Sequence, residues 1–311
     1  MSLTLYTHTD CLDHDPGTVH PENPQRLRGI LEALAADTDL DLAIKQAQHG
    51  NDEQILLAHS PEHVAHVRSS APVTGTISLD PDTWMSPGSL NAALLAVGAA
   101  CQGVDDLMTG QAQTVFCATR PPGHHATPTH AMGFCLFNQV AIAALYAQQQ
   151  YQLERVAIVD FDVHHGNGTQ DIMKGRDGMF YISTHQSPFY PGSGLEEENR
   201  SFNILNLPLD SGTGHEVYVE RFRTEILPAL EAFNPQLLLV SAGFDAHRDD
   251  PLASLALAND TYRWLGMRLK HLANTCCEGR LLSTLEGGYN LGVLPGSVMA
   301  YLDGNLEAAD R

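Results

Sequence analysis

The feature that most constrains this chain is an alternation. Strand-length apolar runs at residues 114–118, 156–159, 179–183, 237–240 and 281–285 are separated by helix-length amphipathic segments at 89–108, 138–150, 215–233 and 260–275. The last segment starts behind a capping cluster, Asn259-Asp260-Thr261. Strands apolar on both faces belong in parallel sheets, whose neighbours must be joined by crossovers, usually helices. The pattern therefore predicts an α/β fold with a mostly parallel central sheet and helices on both faces. No internal repeat, low-complexity tract or linker divides residues 1–311, so a single domain is expected.

The residues just beyond the strands point to function. Arg120-Pro121-Pro122-Gly123-His124-His125 comes after the first run, and Asp160-Phe161-Asp162-Val163-His164-His165-Gly166-Asn167-Gly168 after the second. Ser241-Ala242-Gly243-Phe244-Asp245 and Glu286-Gly287-Gly288-Tyr289 come after the last two. Loops at the carboxyl ends of parallel strands share one edge and line one crevice, so these four segments are predicted to meet.

Carboxylates at the end of a buried strand are costly unless something pairs with them. Asp162, His164 and Asp245 offer two carboxylate oxygens and one imidazole nitrogen, an acceptable three-ligand set for a catalytic zinc with a position left open. The competing reading makes Asp162 a helix cap and His164 a satisfied polar residue, and it weakens once Asp245 and the second histidine pair reach the same edge. His124 and His125 sit in a loop stiffened by Pro and Gly, which suits proton transfer. Asp160 can hold one imidazole as imidazolium, and the Asn167 amide can orient the other without adding charge. A phenol at Tyr289, on a tight Gly-Gly backbone, can donate to a polarised carbonyl, although Gly-Gly-Tyr alone equally describes a turn with a packed aromatic.

Together RPPGHHA, DFDVHHGNGTQ, SAGFDAH and LEGGY, in this order, resemble the histone deacetylase family of the arginase-deacetylase fold, from His20-Pro21-Glu22-Asn23-Pro24-Gln25-Arg26 to Tyr289. The resemblance implies one zinc per chain on Asp162, His164 and Asp245, with His125 as general base and acid, His124 as electrostatic partner and Tyr289 as oxyanion donor. It also implies a structural potassium near Asp160 and Ser183, and an inner acetate channel lined by Arg26; for Arg26 the plain alternative is a salt bridge at a helix N-terminus. The implied acyl tunnel is walled by Phe134 and Tyr190, with Leu252, Gly287, Gly288 and Asp82 completing the substrate-binding set. Asn167, where other branches carry Asp, is similar to class II and bacterial members. Tyr190, where Phe is common, adds a polar tip to the tunnel.

Charge narrows the partner. Seventeen Lys+Arg against 37 Asp+Glu give a formal charge of -20, a field that repels nucleic acid and favours cationic small molecules or basic peptides, though many cytosolic enzymes are simply acidic. Asp13, Asp15, Asp80, Asp82 and the run Glu196, Glu197, Glu198 are expected to ring the mouth and attract the second ammonium of an acetylated polyamine or diamine. Leu252 stands where the vertebrate polyamine deacetylase carries a gatekeeper Glu, which makes acetyl-lysine in proteins the alternative. A binuclear manganese ureohydrolase would want D-x-D at 245–247, and a silent acetyl-lysine binding module would be expected to lack Tyr289 or a ligand. Six scattered cysteines with no CxxC pair fit free thiols in a reducing cytoplasm. No long apolar run or basic-then-apolar leader addresses the chain to a membrane or for export. A homo-oligomer, dimer or tetramer, is compatible with the sequence.

Overall fold

The computed structural model describes residues 3–38 and 40–309. Met1 and Ser2, on which the leader reading partly rests, lie outside them. The strands in chain order are β1 (Leu3–Thr7), β2 (Leu42–Gln46), β3 (Ile77–Asp80), β4 (Thr83–Met85), β5 (Thr114–Cys117), β6 (Val156–Asp160), β7 (Met179–Gln186), β8 (Ile204–Leu209), β9 (Leu237–Ala242) and β10 (Leu281–Leu285). Eight of them form one sheet in the order β2-β1-β5-β10-β9-β6-β7-β8, parallel at every pairing. β3 and β4 make a separate antiparallel hairpin.

The five expected strands form, and the four central ones, β5, β10, β9 and β6, are buried along their whole length. That is why they read as unbroken apolar runs. β1, β2 and β8 carry weaker sequence signals, each for its own reason. β1 is fully buried yet carries Thr4 and Thr7. β2 is an edge strand with alternating exposure. β8 contains Asn206 and Pro208, which argue against a strand, and Pro is tolerated because β8 also lies at an edge.

Helices cover both faces. Pro24–Ala36, Asn259–Cys276 and Leu294–Ala309 pack together, as do Ser89–Met108 and Gln139–Tyr151 on the other side. The segment expected at 215–233 is interrupted by a π turn at Phe222–Ile226, just ahead of Pro228, which cannot donate to a regular i→i−4 ladder. The expected capping cluster at 259–261 does not cap: Ala258 is the N-cap, Asn259 is already helical, and its side chain accepts from the Ser297 hydroxyl at 2.9 Å. Five cysteines are buried and Cys276 is half-buried, all as free thiols. Among the described residues no helix is long and apolar enough to cross a membrane.

Candidate active site

The four polar segments meet because β5, β10, β9 and β6 are adjacent and point the same way. Asp160 ends β6, and the chain turns at once to deliver Asp162 and His164; the neighbouring β9 leads into Asp245. All three potential ligands are buried, with donor atoms within 4.8 Å of one another. His164 Nδ1 stands 3.1 Å from Asp162 Oδ1 and 3.1 Å from Asp245 Oδ2. Oxygen and nitrogen ligands at the usual zinc distances stand roughly 3.3 Å apart in a tetrahedral set, so the spacing fits a small dication.

The electrostatics fit as well. Burial and the adjacent Asp162 push the Asp245 carboxyl up to about 7, as expected for like charges forced together away from water. Burial would raise Asp162 too, but His124 and His164 hold it below the usual carboxylate range. Such a pair calls for a cation between its members. Glycine gives the ligands room. The Gly287 N–H donates to Asp162 Oδ2 at 2.8 Å, and a Cβ on Gly287 would lie 2.0 Å from Asp245 Oδ2.

Above this cluster the rings of His124 and His125 lie 4.0 Å apart. His124 Nδ1 is 2.9 Å from Asp160 Oδ2, which also accepts from the Tyr181 hydroxyl at 3.0 Å. Burial opposes a charge on His124, yet Asp160 and Asp162 outweigh it and raise the ring to about 10, making it an imidazolium. His125 is held well below its ordinary value by burial first and then by its neighbours His124 and His164. Its Nδ1 meets Asn167 Oδ1 at 2.7 Å, while the Asn167 Nδ2 faces Met132 Sδ at 3.4 Å. With the amide oxygen turned to the ring, Nδ1 carries the proton and Nε2 keeps a lone pair. One histidine is therefore charged and the other neutral.

The loop bearing both histidines is tied to the tyrosine loop by Glu286, a buried residue not expected at the site. Its carboxylate accepts from the Gly123 N–H at 2.6 Å and the His124 N–H at 3.1 Å. A lone acid directly after a fully buried strand is the signal that could have found it. Tyr289 is fixed from below by Arg26, whose Nε donates to the Gly288 carbonyl at 2.6 Å and whose guanidinium lies 4.8 Å from the phenol ring centre. Arg26 also donates to the Glu286 carbonyl and, at 3.0 Å, to Glu22 Oε1. Glu22 binds Arg120 Nη2 at 2.6 Å and His14 Nε2 at 3.1 Å. So Arg26 does pair with an acid, but deep inside the protein. Burial holds the Tyr289 phenol well above its ordinary value, hence protonated.

A pocket of about 240 Å³ opens onto these groups. Phe134, Tyr190, Leu252, Asp82 and Tyr289 line it, together with His125, His164, Gly133 and Phe189. Phe189, which was not expected there, stacks on His164 with ring centres 5.2 Å apart. Gly287 and Gly288 do not line it; they lie behind the wall, packed on the Asp162 and Asp245 carboxylates and on Phe244 and Leu294. Of the acids expected around the mouth, only Asp82 lines the pocket. Asp13 and Asp15 do not line it, and Asp80 is half-buried. Glu198 turns inward to accept from the Gly194 N–H at 2.8 Å and the Gln170 amide at 2.6 Å, so its charge is spent on loop closure. Asp82 itself accepts from the Gly133 N–H at 3.0 Å. Asp160 and Ser183 face each other in register on β6 and β7, where Ser183 Oγ meets His185 Nδ1 at 2.9 Å.

A parallel sheet ending in a buried Asp-His-Asp donor set, a charged-neutral histidine pair and a phenol defines an α/β protein of the arginase-deacetylase fold with a hydrolytic type of centre. Residues 20–304 match the histone deacetylase domain. The histone deacetylase-like amidohydrolase of Pseudomonas aeruginosa is 38% identical, over 91% of this chain and 75% of that protein. The crystal structure of the HDA15 HD domain superposes with a TM-score of 0.91 at 35% identity, covering 99% of this chain and 92% of that one. The type-2 histone deacetylase 1 of Dictyostelium discoideum is 31% identical over 96% of this chain, which spans only 28% of that longer protein. The chain belongs to the histone deacetylase family.

Proposed function

We propose that the protein is a zinc-dependent deacetylase that removes acetyl groups from small acetylated polyamines or diamines. The observation that carries this reading is the meeting, in one apolar-walled pocket, of His164 from the Asp162-His164-Asp245 donor set with the neutral His125 and the protonated Tyr289. When bound there, zinc supplies Lewis acidity to an amide carbonyl and to water.

The chain's own groups account for the rest. His125 Nε2 takes a proton from the attacking water and later returns it to the departing amine. Asn167 keeps the other ring nitrogen protonated, so Nε2 is the atom that works. Tyr289 donates to the carbonyl oxygen as negative charge builds there, and the imidazolium of His124 stabilises that charge without giving up its proton to Asp160. Phe134, Phe189 and Tyr190 enclose an extended acylated amine and exclude water. Potassium at Asp160 and Ser183 belongs to the same proposal.

Asp82 and the charge of -20 favour a cationic tail, whereas Leu252 in the pocket wall favours acetyl-lysine in proteins as the second reading. With Asp82 as the lining acid, an ammonium about 6 Å away gains on the order of 1 kcal/mol, or roughly 5-fold. The test is kcat/KM for acetylputrescine, acetylcadaverine, N-acetylbutylamine and an acetyl-lysine peptide at two salt concentrations. Acetylcadaverine should exceed the neutral butyl amide at low salt, with the advantage shrinking as salt rises. Equal turnover of the two, with faster turnover of the peptide, replaces the polyamine reading by the acetyl-lysine one. Chelation should abolish turnover and zinc should restore it.

A further inference from the structure

Asp250 lies five residues beyond the ligand Asp245, is 7% exposed, and does not line the pocket. Its carboxylate nonetheless reaches two walls of that pocket. Oδ2 accepts from the backbone N–H of Tyr289 at 2.7 Å and of Asn290 at 3.3 Å. Oδ1 accepts from the N–H of Leu252 at 3.0 Å. The neighbouring Asp249 carbonyl adds a contact to the Asn290 amide at 2.6 Å.

The strand-helix framework holds this part of the chain at its two ends: the Glu286 N–H donates to the Ala242 carbonyl at 2.9 Å, the Gly287 carbonyl accepts from the Phe244 N–H at 3.0 Å, and the Asn290 carbonyl accepts from the Leu294 N–H at 2.9 Å. Residues 286–290 are irregular, and Gly287 and Gly288 leave their backbone unusually free, Gly288 at φ +121°. Arg26 secures the loop through the Glu286 and Gly288 carbonyls, on the near side of the tyrosine. The far side, the peptide N–H groups of Tyr289 itself and of Asn290, has Asp250 as its acceptor. Among the tethers of this loop, Asp250 is thus the one that accepts from the N–H of the phenol-bearing residue itself, opposite the cationic Arg26 on the near side.

We propose that Asp250 is a positioning residue for the reaction: through one carboxylate it sets the placement of the Tyr289 phenol and links that placement to the Leu252 wall. This rests on the deacetylase reading above in so far as Tyr289 acts in the chemical step. A displacement of about 1 Å in a reacting group can cost up to ~100-fold in rate, so the loss of this tether falls on kcat. The metal donors are held by β6, β9 and Gly287, so zinc content stays the same.

The experiment compares wild type, Asp250→Ala, Asp250→Asn, Tyr289→Phe and the double variant Asp250→Ala/Tyr289→Phe. The readouts are kcat and KM on an acetylated amine, zinc content, and amide hydrogen exchange of the peptide containing Tyr289 and Asn290. Asp250→Ala should lower kcat about 10- to 100-fold with KM changed less than about 3-fold, and should speed exchange at Tyr289 and Asn290. Asp250→Asn, which keeps one acceptor oxygen, should recover most of both and covers the case in which the Ala variant does not fold. In the Tyr289→Phe background the Asp250→Ala loss should shrink to under about 2-fold, because the tether then has no phenol to place. Unchanged exchange at Tyr289 and Asn290, or an equal kcat loss in both backgrounds, overturns the inference. If instead Tyr289→Phe retains full kcat, the reading of the site fails first and this inference falls with it.

Discussion

Replacing Glu22 with Gln takes the acid out of a cluster in which Arg26, Arg120 and His14 are all within hydrogen-bonding reach of it and all almost fully buried. Burial lowers the His14 pKa, so the cluster holds two guanidinium charges against one carboxylate. The variant leaves both guanidiniums without that counter-charge. Removing one partner of a buried pair typically costs about 3–5 kcal/mol. For a chain of this size that is a large share of a total of roughly 5–15 kcal/mol, and at about 2–4 °C per kcal/mol it lowers Tm by roughly 6–20 °C. Activity should fall as well, since Arg26 holds the tyrosine loop and Arg120 opens the segment that leads to the histidine pair. The sign with pH is a further check. Burial would raise Glu22, but Arg120, His14 and Arg26 hold it well below its ordinary value. Its contribution is therefore complete above the unfolded carboxylate range near ~4.3 and is lost as pH falls through the folded value. Thermal unfolding of wild type and Glu22→Gln from pH 8 to pH 3 should show a wide gap at neutral pH that narrows in acid. A Tm within about 1 °C of wild type at pH 7 would refute the reasoning.

Tyr289→Phe should keep zinc and leave KM near wild type while lowering kcat by about 100-fold or more, the scale of losing one oxyanion donor; near-normal kcat removes Tyr289 from the chemical step. Asp162→Ala should lose both metal and turnover, measured by elemental analysis and kinetics, and full zinc occupancy in that variant would exclude Asp162 as a ligand. His59 and His185 are buried and neutral, with burial as the main cause of values lowered to about 3. Their contribution to stability is complete above about pH 6.5 and declines as pH drops toward 3, so denaturant midpoints should begin to fall near pH 6, and His59→Gln should flatten that slope.

The central strands and the residues that gather at their ends are decided by local sequence. A strand buried on both faces has to be apolar throughout, and an acid, histidine or glycine immediately beyond such a run has no packing role there, so β5, β6, β9 and β10 and the groups from His124 to Tyr289 could be read directly. Edges were not legible in this way, because β2 and β8 answer to solvent on one side and to neighbours far along the chain. The same limit governs charge. A run such as Glu196, Glu197, Glu198 has one composition whether it lines a mouth or closes a loop, and only the fold turned Glu198 inward and left Asp82 alone of the expected acids at the pocket. Glu22 and Asp250 carried no local signal of their roles, and Glu286 showed only its place after a buried strand, since each acts on backbone or side-chain groups up to 163 residues away. Spacing along the chain sets which groups can share a strand end; which buried charge finds which partner is set by the three-dimensional packing, because desolvation and Coulomb energy depend on distance and burial and not on order in the sequence.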